Sequence, residues 1–200
     1  MGKIIAVVNQ KGGVGKTTTA VNLTAALTEA GKKILLCDFD PQANATSGMG
    51  VDKRKVSKSV YDVVVNGIDT ASAIVATKFG DVLPSSPDLA GAAVELLSMD
   101  QPNYRLRSAL NAVKEQYDVI FIDCPPSLEM LTLNGLAAAD SILVPVQCEY
   151  FALEGLADLM TTMRLVKKRI NPNLEIFGVA LTMFDGRTNF STQVAEEVRH

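Results

Sequence analysis

Five short apolar runs set the architecture: KIIAVVN (3–9), KILLCDFD (33–40), YDVIFIDC (117–124), SILVPVQ (141–147) and EIFGVALTMF (175–184). None alternates apolar with polar residues, as a strand with one wet face would. Strands apolar on both faces belong in a parallel sheet covered on each side by helices. Helical stretches fall between them, near 89–99, 103–116, 127–139 and 153–170. The expectation is an α/β chain in three layers, α/β/α, around a mostly parallel sheet. Residues 41–88 are less regular, with PQANATSGMG read as loop and VYDVVVNG as a short helix. No repeat, low-complexity segment or linker interrupts the sequence, so one domain over 1–200 is expected.

The first run leads directly into NQKGGVGKTTTA (9–20). The phosphate-loop pattern G-x-x-x-x-G-K-[ST] fits Gly15, Lys16 and Thr17, but its first glycine falls on Gln10. A glycine pair, Gly12 and Gly13, stands nearby instead, with a second lysine, Lys11, just before it. In such a turn successive backbone N–H groups converge on one point and form an anion nest. The helix that follows adds its positive end to the same point. Lys16 is placed to reach the β- and γ-phosphates, and the Thr17 hydroxyl to ligate Mg²⁺. The expected nucleotide-binding stretch is therefore Gly12, Gly13, Val14, Gly15, Lys16, Thr17 and Thr18. Its helix should run to about Ala30, where Gly31 can close it.

Phosphoryl transfer needs acidic groups for magnesium and for water, because the protein supplies mainly position and charge. Asp38 and Asp40 close one apolar strand and Asp123 closes another. Ligands of open α/β sheets bind beyond the carboxyl ends of strands, so all three can face the phosphates. Asp38 and Asp123 join Thr17 as expected metal ligands, and Asp40 is expected to orient the attacking water. Cys37, Cys124 and Cys148 are widely spaced and His200 is the only histidine, which gives no disulfide framework or zinc pattern. Cys124 reads as a small buried apolar residue. A net charge of −3 confines any nucleic-acid contact to a local patch. The longest uncharged run, Thr17–Thr28, is too short to cross a bilayer, and a cytoplasmic location is expected.

KGGVGKTT (11–18), DFDPQANAT (38–46), IDCPPSL (122–128), PVQCEYFALEGL (145–156) and TMFDGRTN (182–189) together resemble the ParA/Soj partitioning ATPases. These are P-loop NTPases of the MinD-like group with a deviant Walker A loop, the SIMIBI type. The resemblance implies a weak Mg²⁺-dependent ATPase that forms a homodimer with two ATP molecules sandwiched between the copies. It implies that Lys11 is catalytic with Lys16 and Asp40, reaching across the dimer to the partner's ATP as a cation supplied in trans. Read from the loop alone, Lys11 is equally a solvated lysine. The resemblance also implies nonspecific double-stranded DNA binding by the ATP-bound dimer, with Arg187 as the first DNA-binding residue, and a nucleoid-associated location. Release would follow hydrolysis stimulated by a ParB/Spo0J-type partner. Lys167, Lys168 and Arg169 end an expected helix and read as a solvated face before they read as DNA contacts.

Three other readings stay open, one of them a nucleotide-dependent scaffold that scarcely hydrolyses, which only kinetics separates from the partition ATPase. A MinD-like membrane-associated cell-division regulator would need an amphipathic helix, and the DPQANAT and CEYFALEGL segments favour the partition branch, so no membrane partner is expected. A synthase built on the same loop would need its own polar substrate pocket. The last residues, NFSTQVAEEVRH, read as a helix with neither glycine nor proline after it. Either a fragment or a natural end fits that pattern. The family's further strand, adenine-contacting loop and basic C-terminal helices would lie beyond it.

Overall fold

The computed structural model describes residues 2–127, 129–149 and 152–199, so the motif positions Leu128, Tyr150 and Phe151 and the lone His200 lie outside the described residues. The chain runs β1 (Lys3–Val7), α1 (Lys16–Glu29), β2 (Ile34–Asp38), α2 (Asn44–Gly48) and α3 (Val60–Val64). Two short strands follow, β3 (Val75–Thr77) and β4 (Gly80–Leu83), then α4 (Leu89–Leu97) and α5 (Arg105–Asn111). The rest is β5 (Val119–Asp123), α6 (Met130–Ala138), β6 (Ser141–Gln147), α7 (Ala152–Arg169), β7 (Glu175–Thr182) and α8 (Asn189–Arg199).

The seven strands form one sheet in the order β3-β4-β2-β5-β1-β6-β7. Every neighbouring pair is parallel except β3 with β4. The strands are apolar on both sides because both sides are covered. On one face Ile4, Ala6, Leu35, Cys37, Ile120 and Ile122 pack with Leu106 of α5, Leu136 of α6 and Leu159 of α7. On the other, Ile5, Val7, Leu36 and Phe121 pack with Ala20 of α1 and with Ala45 and Met49 of α2 and its end. This is the expected three-layer α/β/α arrangement.

β1 lies between β5 and β6 while the chain itself leaves toward β2, so the strand order reverses beside it. That crevice, outside the carboxyl ends of the strands, is where such sheets bind ligands. Register sharpens the placement. Val7 pairs with Asp123 and Asp38 pairs with Asp123, so the last residues of three adjacent strands stand side by side.

Three local expectations are corrected. The single helix expected near 103–116 is instead α5 followed by a 3₁₀ turn at Lys114–Gln116, with the chain tightened where Val113 N–H donates to the Leu110 carbonyl at 3.1 Å. The segment PQANATSGMG contains α2, which five residues are too few to announce by periodicity. It is held by Asp38, whose Oδ2 accepts from the Thr46 N–H and hydroxyl, each at 2.6 Å. The irregular 41–88 region also contains the β3–β4 hairpin. Gly31 does close α1: at φ 81° it donates to the Thr28 carbonyl at 2.9 Å while Lys32 donates to Leu27 at 3.0 Å, a Schellman motif.

Candidate nucleotide site

Val7 hands the chain to the glycine loop, and two left-handed residues shape it: Gly13 at φ 77° and Gly15 at φ 91°. A side chain at either would cost about 1–2 kcal/mol of backbone strain. Beside Gly12 and Gly13 a Cβ would meet no heavy atom within 4 Å, so the loop keeps open space on that side. α1 starts at Lys16 with no side-chain cap and no acid in its first turn. Its first N–H groups are therefore left for an anion.

Asn9 sets the entry to the loop, a role the sequence did not disclose. Its Nδ2 donates to the Pro145 carbonyl at 2.7 Å, and its Oδ1 accepts from the Lys11 N–H at 3.0 Å. The second contact, from a side chain to the backbone two residues on, is an Asx turn and could have been sought in the sequence. The first crosses from β1 to β6 and could not.

Of the expected residues, Thr17 and Asp123 meet directly where α1 begins. Lys16 is buried, and its Nζ donates to the Lys11 carbonyl at 3.0 Å. Burial lowers the Lys16 pKa, while the carboxylates of Asp123 and Asp40 act to hold the proton on. The Thr17 hydroxyl donates to Asp123 Oδ2 at 2.7 Å. Val14 is buried under the loop, and Thr18 is exposed on α1 with its carbonyl accepting from Asn22. Asp40 stands past the end of β2, where its Oδ1 accepts from the Gln42 N–H at 2.9 Å. Asp38 is fully buried and spends its oxygens on Thr46 and on the Asp40 N–H.

Asp123 Oδ1 is buried without a hydrogen-bond partner. An orphaned carboxylate oxygen beside a threonine hydroxyl is a hard, oxygen-only donor set of the kind magnesium accepts. No group of three or more His, Cys, Asp or Glu side chains capable of caging a metal occurs among the described residues.

Burial pushes the Asp123 carboxyl up to about 7, helped by Asp38 and Asp40 and opposed by Thr17 and Lys16. Burial likewise raises Asp38 to about 6, against the hydrogen bonds from Thr46 and Asp40. Both folded pKa values exceed the unfolded one, so between about pH 4 and 7 the folded state binds more protons and stability falls as pH rises. The nucleotide-free protein should melt at least a few degrees higher at pH 5 than at pH 8 by calorimetry, and Asp123→Asn should shrink that gap. A melting temperature that climbs through this range would contradict the assignment.

Lys11 and Arg187, the cations expected to act on a partner's nucleotide and on DNA, are each paired within the chain. Lys11 forms an ion pair with Glu149, just beyond β6, with both side chains roughly one-third exposed. Arg187 is 90% exposed and held by Asp185, with Nη2 2.7 Å from Oδ2. It lies on the loop between β7 and α8, while Lys167, Lys168 and Arg169 occupy the last turn of α7. Cys124 is buried, and Gly135 of α6 leaves it room: a Cβ there would lie 2.8 Å from its sulfur. A cleft of about 960 Å³ is at the opposite end of the sheet, bordered by Thr28, Lys33, Asp81 and Tyr117.

No helix among the described residues is long and apolar enough to cross a membrane. A family profile described as an AAA domain matches residues 2–176. The sporulation initiation inhibitor protein Soj of Bacillus subtilis is 56% identical, over 100% of this chain and 79% of that protein. The chromosome partitioning protein ParA of Myxococcus xanthus is 51% identical, over 100% of this chain and 71% of that protein. Among solved structures, a Mycobacterium smegmatis protein described as cobyrinic acid a,c-diamide synthase, with bound ATP analog and magnesium, is 42% identical. It superposes with a TM-score of 0.94 over 100% of this chain and 82% of that one. With the phosphate loop, the strand-end acids and these relatives in place, the chain belongs to the ParA/Soj family of chromosome-partitioning P-loop ATPases.

Proposed function

We propose that the protein is a nucleotide-driven DNA-partition switch. It binds ATP with Mg²⁺ at the loop of residues 11–18, closes into a sandwich dimer, and binds double-stranded DNA without sequence preference in that state. Hydrolysis, stimulated by a ParB/Spo0J-type partner, then releases it, which would place it on the nucleoid in the cytoplasm. The observation that carries the reading is the contact of Thr17 with Asp123 at 2.7 Å, between the start of α1 and the end of β5. That contact brings a phosphate loop and a strand-end acid to one point.

In this reading the backbone N–H groups from Gly12 to Thr18 and the Lys16 ammonium bind the phosphates. Thr17 and Asp123 would hold the ion, which would supply positive charge to the phosphates. Asp38 adds negative charge beside that pair and fixes the backbone of Asp40, and Asp40 orients the attacking water. Lys11 exchanges Glu149 for the partner's nucleotide as the dimer closes. The exchange is cheap, because a partly exposed ion pair is worth about 0–1 kcal/mol.

Arg187 supplies the DNA contact, its exposed guanidinium exchanging Asp185 for a backbone phosphate. Arg187→Ala should weaken ATP-dependent retention of duplex DNA uniformly across sequences and lower the salt slope of binding by about one. ATP-dependent dimerisation should be unchanged. A gel shift identical to wild type at matched salt would remove Arg187 from the DNA face.

A further inference from the structure

The phosphate loop is fastened from outside by a residue far along the chain. Thr182 ends β7, and its hydroxyl donates to the Val14 carbonyl at 2.8 Å, across 168 residues of sequence. Its methyl group lies 3.5 Å from where a Cβ on Gly15 would stand. The side chain thus lies beside the Val14–Gly15 peptide. Thr182 is itself anchored: it pairs with Gln147 of β6, and its carbonyl accepts from the Cys148 N–H at 3.3 Å.

A peptide unit is planar and trans, so its carbonyl and N–H point in opposite directions. Tying the Val14 carbonyl to β7 turns the Gly15 N–H away from β7, to the inner side of the loop where phosphate is gripped. The tie is needed because Gly15 is a glycine at φ 91°, which populates positive and negative φ about equally and so lets this peptide rotate. An outside donor selects one orientation.

We propose that Thr182 is a positioning residue for nucleotide binding, its hydroxyl setting the Val14–Gly15 peptide and through it the hold on the β-phosphate. The proposal rests on the reading of residues 11–18 as the nucleotide site. A threonine that merely fits a strand would serve stability alone, and the two roles separate by ligand. A loop with a misaimed N–H loses grip on ADP far more than on AMP, which has no β-phosphate. A loosened strand weakens both alike.

The test is calorimetric titration of Mg²⁺ with ADP, and separately with AMP, into wild type, Thr182→Val, Thr182→Ala and Thr182→Ser, with thermal melts of each. Valine keeps the shape and removes the donor, alanine removes the donor with less bulk, and serine keeps the donor. ADP affinity should fall about tenfold in the valine and alanine variants, consistent with one lost, aligned hydrogen bond. AMP affinity should change less than about threefold, and serine should restore ADP binding to within about twofold. Wild-type ADP affinity in a folded Thr182→Val or Thr182→Ala would overturn the proposal, as would equal losses of ADP and AMP. Failure of wild type itself to bind ADP would overturn the nucleotide-site reading and this role with it.

Discussion

Lys16→Ala is expected to abolish nucleotide binding over the range that calorimetry reaches for wild type. The Lys16 ammonium is buried beside the loop carbonyls, where no bulk water can take over its contact with a phosphate. Removing one member of a desolvated, hydrogen-bonded charge pair costs about 2–5 kcal/mol, which is at least about thirtyfold in affinity. The fold should survive. Burial already lowers the Lys16 pKa, so the nucleotide-free protein loses a group that is unfavourably solvated when charged. An unchanged melting curve together with lost ATP binding is the expected pair of results. Unchanged ATP affinity would take Lys16 out of the site.

Asp40→Ala should show the opposite pattern, with MgATP bound within a few-fold of wild type and turnover reduced by about 10²–10⁴, the usual contribution of a positioned acid or base. Asp40 accepts a hydrogen bond from its own loop at Gln42, so alanine also disturbs local geometry. Asp40→Asn keeps that acceptor and removes only the charge. Agreement between the two variants assigns the loss to chemistry and not to the loop. Normal phosphate release from either would remove Asp40 from its proposed place beside the attacking water.

What the sequence disclosed follows from how each feature is encoded. ILLCD and VIFID are apolar along their whole length because both faces of β2 and β5 are covered, so they read as buried strands without any long-range information. The β3–β4 hairpin was not legible because β3 has three residues, two of them exposed, which is too little to form a pattern. α2 is likewise too short to show a period, and it is held in place by a buried carboxylate, Asp38, eight residues before Thr46.

The site divides in the same way. Gly12 to Thr18 and the strand-end aspartates are local motifs and were visible. The residues that aim them were not: Asn9 acts on Pro145, Glu149 on Lys11 and Thr182 on Val14, over separations of 136, 138 and 168 residues. Those contacts exist only because β6 lies beside β1, and β7 beside β6, in the sheet. Asp38 was expected simply as a metal ligand, whereas the structure also gives it Thr46 and the Asp40 backbone to hold.

The proposed switch depends on one event, the face-to-face closing of two copies around two nucleotides with Lys11 of each reaching the other's ATP. Sedimentation velocity with and without MgATP tests it most directly, on wild type and on Lys11→Glu. Wild type should move from monomer to dimer when MgATP is added, and Lys11→Glu should stay monomeric while still binding nucleotide through Lys16. A wild-type protein that remains monomeric when saturated with MgATP, or a Lys11→Glu variant that dimerises equally well, would contradict it.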